Sequence, residues 1–129
     1  MKTCTPESRA IATKRKILVV DDDEEIRSGL RCVLITEGFQ AETASDGLAA
    51  IAACREQAFD LALIDMNMPK QNGWGTIASL RGLDPTLPII IITARPDQQT
   101  VAREAGVDLM EKPLDLPALL RRIDELTQP

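Results

Sequence analysis

Five short apolar runs alternate with amphipathic stretches along the chain, and most of the runs stop abruptly at a charged or hydroxyl residue. Ile17-Leu-Val-Val20 runs into Asp21-Asp-Asp23. Phe39–Ala44 reads as a short second strand, and Phe59–Ile64 leads straight into Asp65 and Met66-Asn-Met-Pro69. Ile89-Ile-Ile-Ile92 runs into Thr93-Ala94, and Val107–Glu111 into Lys112-Pro113. Continuous apolar strands set between helices imply a parallel sheet covered on both faces, because an alternating pattern would leave one face wet. Right-handed crossovers then restrict the chain to doubly wound α/β forms. In such sheets ligands bind outside the carboxyl ends of the strands. Asp21–Asp23, Asp65, Thr93 and Lys112 all follow strands at those ends, so the fold brings them together across long separations in sequence.

The stretches between the runs read as helices. Ile26, Leu30, Val33 and Leu34 fall on one helical face, closed by Gly38 as the C′ residue. Ser45 or Asp46 caps a second helix bearing Leu48, Ile51 and Ala52. Asn72-Gly73 opens a third, through Ile77 and Leu80 to about Gly82. Pro96-Asp97 starts a short fourth helix that stops near Gly106. Asp115 caps the last, with Pro117 in its first turn and Leu116, Leu119, Leu120, Ile123 and Leu126 at helical spacing.

Composition excludes several function classes. At 129 residues and 44% hydrophobic, the chain supports one globular domain. No apolar run approaches the roughly 18 residues of a membrane span, so no membrane partner is expected. Residues 2–16 carry five bases and one acid, a local charge of +4, which leaves −9 on the remainder of a chain whose net charge is −5. Residues 1–14 read as a flexible basic arm. The acidic body is a poor nucleic-acid binder, so nucleic acid is not an expected partner. There is no histidine, and the three cysteines Cys4, Cys32 and Cys54 are far apart. A Cys/His zinc site and a His-based triad are therefore excluded. Cys32 and Cys54 read as core or half-buried residues, and a reducing cytoplasm suits such usage.

What remains is a group of carboxylates, a hydroxyl and a lysine. Several acids at one sheet edge repel, and a hard divalent cation with oxygen ligands, Mg²⁺, resolves that repulsion. Mg²⁺ keeps several waters and takes one or two carboxylates plus a phosphate oxygen. A carboxylate can itself attack phosphorus to give an acyl phosphate. Phosphoryl transfer needs in-line placement and charge neutralisation more than acid–base help, so the missing histidine costs nothing. Taken singly, Asp21 and Asp22 could just as well cap the first helix, as Asp23 does; Thr93 alone would be an ordinary strand end and Lys112 a surface lysine.

The pattern resembles the receiver domain of two-component response regulators, the fold shared with flavodoxin-like chemotaxis proteins. The resemblance runs through Ile17-Leu-Val-Val-Asp-Asp22, Asp65-Met-Asn-Met-Pro69 with Gly73, Ile89-Ile-Ile-Ile-Thr-Ala94, Ala105-Gly106 and Lys112-Pro-Leu114. It implies a five-stranded parallel sheet in the order 2-1-3-4-5 with helices on both faces, over residues 15–129. It further implies that Asp65 is the phosphoacceptor. Asp22 would bind Mg²⁺ directly, Asp21 through water, and Asn67 through its backbone carbonyl. Thr93 would be the switch hydroxyl and Lys112 the phosphate-binding ammonium, with a cis Lys112-Pro113 bond. Asn67 and Arg95 stand at the family's variable positions that tune dephosphorylation. The implied donor is a histidine kinase or histidine phosphotransfer protein, with a downstream protein target. The module would dephosphorylate itself and would not turn over an external substrate. It would be a single-domain regulator, relay or phosphate sink, or a piece of a longer protein.

Two features depart from the family pattern. Leu109 stands three residues before Lys112, where the family usually has Tyr or Phe, and Lys112 follows Thr93 by only nineteen positions. The fourth helix, about Asp97–Ala105, is accordingly short. Two other functions fit parts of the sequence. Asp21-x-Asp23 after a strand superficially matches a haloacid-dehalogenase-type phosphatase, although that class needs an acidic motif beyond the lysine. A receiver-like scaffold that is never phosphorylated is the other. Trp74 reads as packing beneath the loop after Asp65 or, less favoured, as a partner contact.

Overall fold

The computed structural model describes residues 15–66, 73–94, 97 and 99–127. Its elements alternate strictly: β1 Lys16–Val20, α1 Glu24–Thr36, β2 Gln40–Ala44, α2 Gly47–Glu56, β3 Leu61–Asp65, α3 Gly73–Leu83, β4 Ile89–Thr93, α4 Gln99–Ala105, β5 Asp108–Glu111 and α5 Leu116–Thr127. The five strands form one parallel sheet in the order β2-β1-β3-β4-β5, as the resemblance implied. The basic arm assigned to residues 1–14 lies outside the described residues, as do Asn67, Arg95, Pro96 and Asn72.

The sheet divides the core in two because neighbouring residues of a strand point to opposite faces. Leu18, Val20, Ala62, Ile64, Ile89 and Ile91 face α2, α3 and α4, meeting Ala50, Ile77, Leu80 and Ala102. Ile17, Val19, Leu61, Leu63, Ile90 and Ile92 face α1 and α5, meeting Leu30, Leu34, Leu119 and Ile123. In β1, β3 and β4 the apolar runs are continuous for this reason, whereas the edge strands β2 and β5 keep exposed or half-exposed polar residues such as Gln40, Glu42 and Glu111. β3 and β4 are buried along their whole length, so β4 shares the centre of the sheet with β3. Truncating a fully buried residue here, such as Ile91→Ala, costs about 2–5 kcal/mol.

The helix starts follow the expected chemistry. Asp23 caps α1, its side chain accepting from the Glu25 and Ile26 N–H groups at 2.9 and 3.3 Å. Asp46, not Ser45, caps α2 by accepting from Ala49 N–H at 2.8 Å. Asp115 accepts from Ala118 N–H at 3.2 Å at the start of α5. Gly38 takes φ 97° just past α1, where a side chain would be strained.

Two faces differ from expectation. On α1, Leu30 and Leu34 are buried but Ile26, in the first turn, is exposed. On α2, Leu48 and Ala52 are exposed and Gly47 and Ala50 turn inward. α2 packs closely against α3, and small residues permit that approach. Cys32 and Cys54 are half-buried as read, and Cys54 is a free thiol.

Candidate functional site

Strand register assembles the site. Val20 pairs with Ile64, so Asp21 emerges beside Asp65. Asp65 pairs with Ile92, so Thr93 lies one residue beyond it. Thr93 pairs with Glu111, so Lys112 lies one residue beyond that. The ladder continues past the strands: Asp21 N–H donates to Ala44 O at 3.1 Å, Met66 N–H to Ile92 O at 2.9 Å and Lys112 N–H to Thr93 O at 2.9 Å. Backbone bonds thus fix where each functional side chain leaves the sheet.

Asp21, Asp22 and Asp65 each offer a carboxylate oxygen within 4.8 Å of the others. Asp21 and Asp65 are buried, and Asp22 is exposed. Lys112 Nζ lies 3.2 Å from Asp65 Oδ1. Thr93 is completely buried at the same edge. Asp23, which closes the acidic triplet in sequence, faces away to its capping role, as read. The Lys112-Pro113 bond is cis.

The electrostatics show an excess of negative charge. Three carboxylates meet one ammonium. Asp21 is pushed up to about 6, first by burial and then by the charge of Asp65 and a hydrogen bond shared with it. The Asp23 N–H, which donates to Asp21 Oδ1 at 2.9 Å, and the Lys112 charge act in the opposite sense without prevailing. A cluster of oxygen donors with unneutralised charge and one solvent-facing member is the donor set that a hard, partly hydrated cation prefers.

Two contributors were missed in the sequence. Arg27, on the first turn of α1, donates from Nη1 to Asp21 O at 2.8 Å and holds the backbone between two acids. An arginine six residues downstream on a surface helix gives no signal of that contact. Met66 lies over Gly73, where an added Cβ would sit 2.6 Å from Sδ and 2.8 Å from Cε. Gly73 therefore permits the side chain after Asp65 to fold onto the start of α3. Trp74 is partly buried against the α2–α3 core; the loop after Asp65 beneath which it was expected to pack lies outside the described residues. Leu109 is half-buried against the same core.

Comparison with known proteins agrees with this geometry. The model of the response regulator receiver domain matches residues 17–124. The transcriptional regulatory protein PrrA of Mycobacterium bovis is 34% identical over 117 residues, covering 88% of this chain and 50% of that protein. Response regulator MprA of Mycobacterium tuberculosis is 36% identical over 114 residues, covering 86% and 50%. The chain thus spans about half the length of the curated relatives it matches. Among solved structures, chemotaxis protein CheY4 of Vibrio cholerae superposes with a TM-score of 0.81 at 28% identity, covering 88% of this chain and 99% of that one. TrrA of Thermotoga maritima, in complex with Mg(2+)-BeF, gives 0.79 at 26%, covering 87% and 98%. These matches do not favour the phosphatase alternative. Because relatives are named as transcriptional regulators, the expectation that nucleic acid is no partner gains no support. No helix among the described residues is long and apolar enough to cross a membrane.

Proposed function

This chain belongs to the response regulator receiver domain family, and on that footing we propose that Asp65 is its phosphoacceptor. The supporting observation is the pairing of Asp65 with Lys112 at 3.2 Å inside a triplet of carboxylates. Response regulators take their phosphoryl group from histidine kinases; the donor here is a histidine kinase or a histidine phosphotransfer protein. Asp65 Oδ attacks phosphorus, the donor's P–N bond breaks, and an acyl phosphate forms on Asp65.

Mg²⁺ fits the site by donor chemistry: all oxygen, two buried carboxylates and one exposed, with charge left to neutralise. Asp22 and Asp65 would hold it directly, Asp21 through water, and Asn67 by its carbonyl. When bound, the ion would supply positive charge that neutralises the transferring group. Lys112, whose Nζ lies 3.2 Å from Asp65 Oδ1, supplies a second positive charge. Thr93, fixed at the end of β4, presents a hydroxyl that donates to the new phosphoryl oxygen. The acyl phosphate is then hydrolysed in the same site, and the protein acts as a timed signal, not as a turnover enzyme. The module works in the cytoplasm and passes its state to a protein target.

The test is incubation with Mg²⁺ and a small phosphodonor, followed by intact mass. One added phosphoryl group is expected, labile to base and absent in Asp65→Asn. No adduct with small donors or with any cognate kinase would overturn the assignment and leave the unphosphorylated scaffold.

A further inference from the structure

Five consecutive acids, Asp21–Glu25, stand just before Arg27, yet the contact its guanidinium makes is to a neutral carbonyl. Arg27 is the fourth residue of α1 and is half-buried. Its backbone N–H donates to Asp23 O at 2.9 Å, and its Nη1 reaches back to Asp21 O at 2.8 Å. The Asp21 carbonyl and the Asp22 N–H belong to one planar peptide unit. Holding that oxygen therefore sets the direction in which the chain enters Asp22.

The acids on either side of Asp22 are held as well. Asp21 N–H donates to Ala44 O at 3.1 Å, and Asp21 Oδ1 accepts from Asp23 N–H at 2.9 Å. Asp23 is tied to α1 through the N–H groups of Glu25 and Ile26. Asp22 lies between them with an exposed side chain, so the direction of its carboxylate follows from its backbone. Of these bonds, only the one from Arg27 holds the peptide that joins Asp21 to Asp22.

We infer that Arg27 is a positioning residue for the cation site: by holding the Asp21–Asp22 peptide it keeps both carboxylates turned toward Asp65 as a preformed set of oxygens. The inference rests on the cation site of the proposed function. Without this bond Asp22 is free to turn into solvent, and the ion must order it on binding. Groups that orient a metal's ligands contribute roughly ten- to a hundredfold in affinity. Charge and position predict opposite signs here. As a positive charge beside a cation site Arg27 repels the ion, so on that count its removal tightens binding. As a positioning group, its removal loosens binding.

The test is calorimetric titration of the full chain with Mg²⁺, in wild type, Arg27→Met and Arg27→Lys. Arg27→Met removes donor and charge together and is expected to weaken Mg²⁺ about tenfold. Arg27→Gln is also neutral and is read the same way where the methionine variant does not fold. Arg27→Lys keeps a donor on a long stem and should stay within about threefold of wild type. In EDTA, hydrogen exchange at the Asp23 amide is expected to quicken several-fold in Arg27→Met while amides of β3 keep their wild-type rates. Phosphorylation of Asp65 by a small phosphodonor should slow at limiting Mg²⁺ and recover at saturation, because Asp65 and Lys112 stay in place. Unchanged or tighter Mg²⁺ binding in the neutral variants, or a lysine variant as weak as the methionine one, overturns the positioning role alone. Absence of any Mg²⁺ binding by the wild type sinks the cation site itself, and the positioning role with it.

Discussion

Lys112 reaches Asp65 at 3.2 Å with its own side chain about one-third exposed (31%), while the carboxylate it meets is only 5% exposed. The two ends of this pair are therefore unequally solvated. Breaking a fully buried pair from one side costs about 3–5 kcal/mol, because the remaining charge is stranded. Water at the lysine end reduces that, so Lys112→Met is expected to lose about 1–3 kcal/mol in metal-free buffer. Added Mg²⁺ should recover part of the loss, since it supplies another cation to the same oxygens. Urea unfolding followed by Trp74 fluorescence, with EDTA and with Mg²⁺, measures both. A variant as stable as wild type in EDTA would show that Asp65 does not depend on Lys112.

Asp21 gives the second prediction, with a definite sign. Burial is the main cause that holds its carboxyl at about 6 in the folded chain, against 3.8 for an ordinary aspartate. The folded state thus favours the protonated form. Asp21 costs nothing below about pH 4; the cost grows as pH rises toward 6 and is constant above. Its full size is on the order of 3 kcal/mol. Paired carboxylates elsewhere pull the other way, so the wild-type curve alone is ambiguous. The difference between wild type and Asp21→Asn isolates the term: Asp21→Asn should gain relative stability across pH 4–6 in EDTA. Mg²⁺ takes the ionised form, so its apparent affinity should fall below about pH 6 in wild type. Parallel stability curves for the two proteins would contradict the buried, raised carboxyl.

The same residues show what a sequence makes legible. Strand ends are readable because a two-face-buried strand must be apolar throughout, so the first charged residue marks its edge. Asp21 and Asp65 were placed this way, Thr93 as the hydroxyl that ends the apolar run of β4 and Lys112 as the residue after the fifth strand, and the register then brought them to one edge. Helix faces are less readable when a helix is apolar all round. In α2, Ala49, Ala50, Ala52 and Ala53 give no contrast, so its inward face could not be read, and Leu48, its large leucine, is exposed. Arg27 was illegible for another reason: it acts on a backbone carbonyl, which leaves no trace in residue type.

Gly73 offers a test by double-mutant cycle. An added Cβ there meets Met66 Sδ at 2.6 Å and Cε at 2.8 Å. The obstacle is the far end of a flexible side chain, so it can move. Gly73 is the first residue of α3, so the preference of helix interiors for alanine over glycine acts there only weakly. Gly73→Ala is therefore expected to cost up to about 1 kcal/mol, the cost of moving the Met66 side chain. In a Met66→Ala background the clash is gone, so the same change should be close to neutral, within about 0.5 kcal/mol. Additive behaviour of the two substitutions would show that Met66 does not rest on Gly73.

Leu109 tests whether the position that usually carries a ring still has room for one. Leu109 lines, with Ala102, Arg103 and Val107, a hollow of about 230 Å³ between α4 and β5. Its neighbour across the sheet is Ile91, which is completely buried. Leu109→Phe is expected to change stability by less than about 1.5 kcal/mol, because the extra volume can enter the hollow. Ile91→Phe has no such outlet and should cost about 1–3 kcal/mol, or more if the strand is displaced. Chemical denaturation of the two variants, with wild type as reference, reads the contrast directly. If Leu109→Phe proves as costly as Ile91→Phe, the hollow closes in solution and the leucine is part of the packed core. If it is tolerated, the space beside β5 persists without the ring, and the leucine at this position reflects a choice about switching and not a limit set by packing.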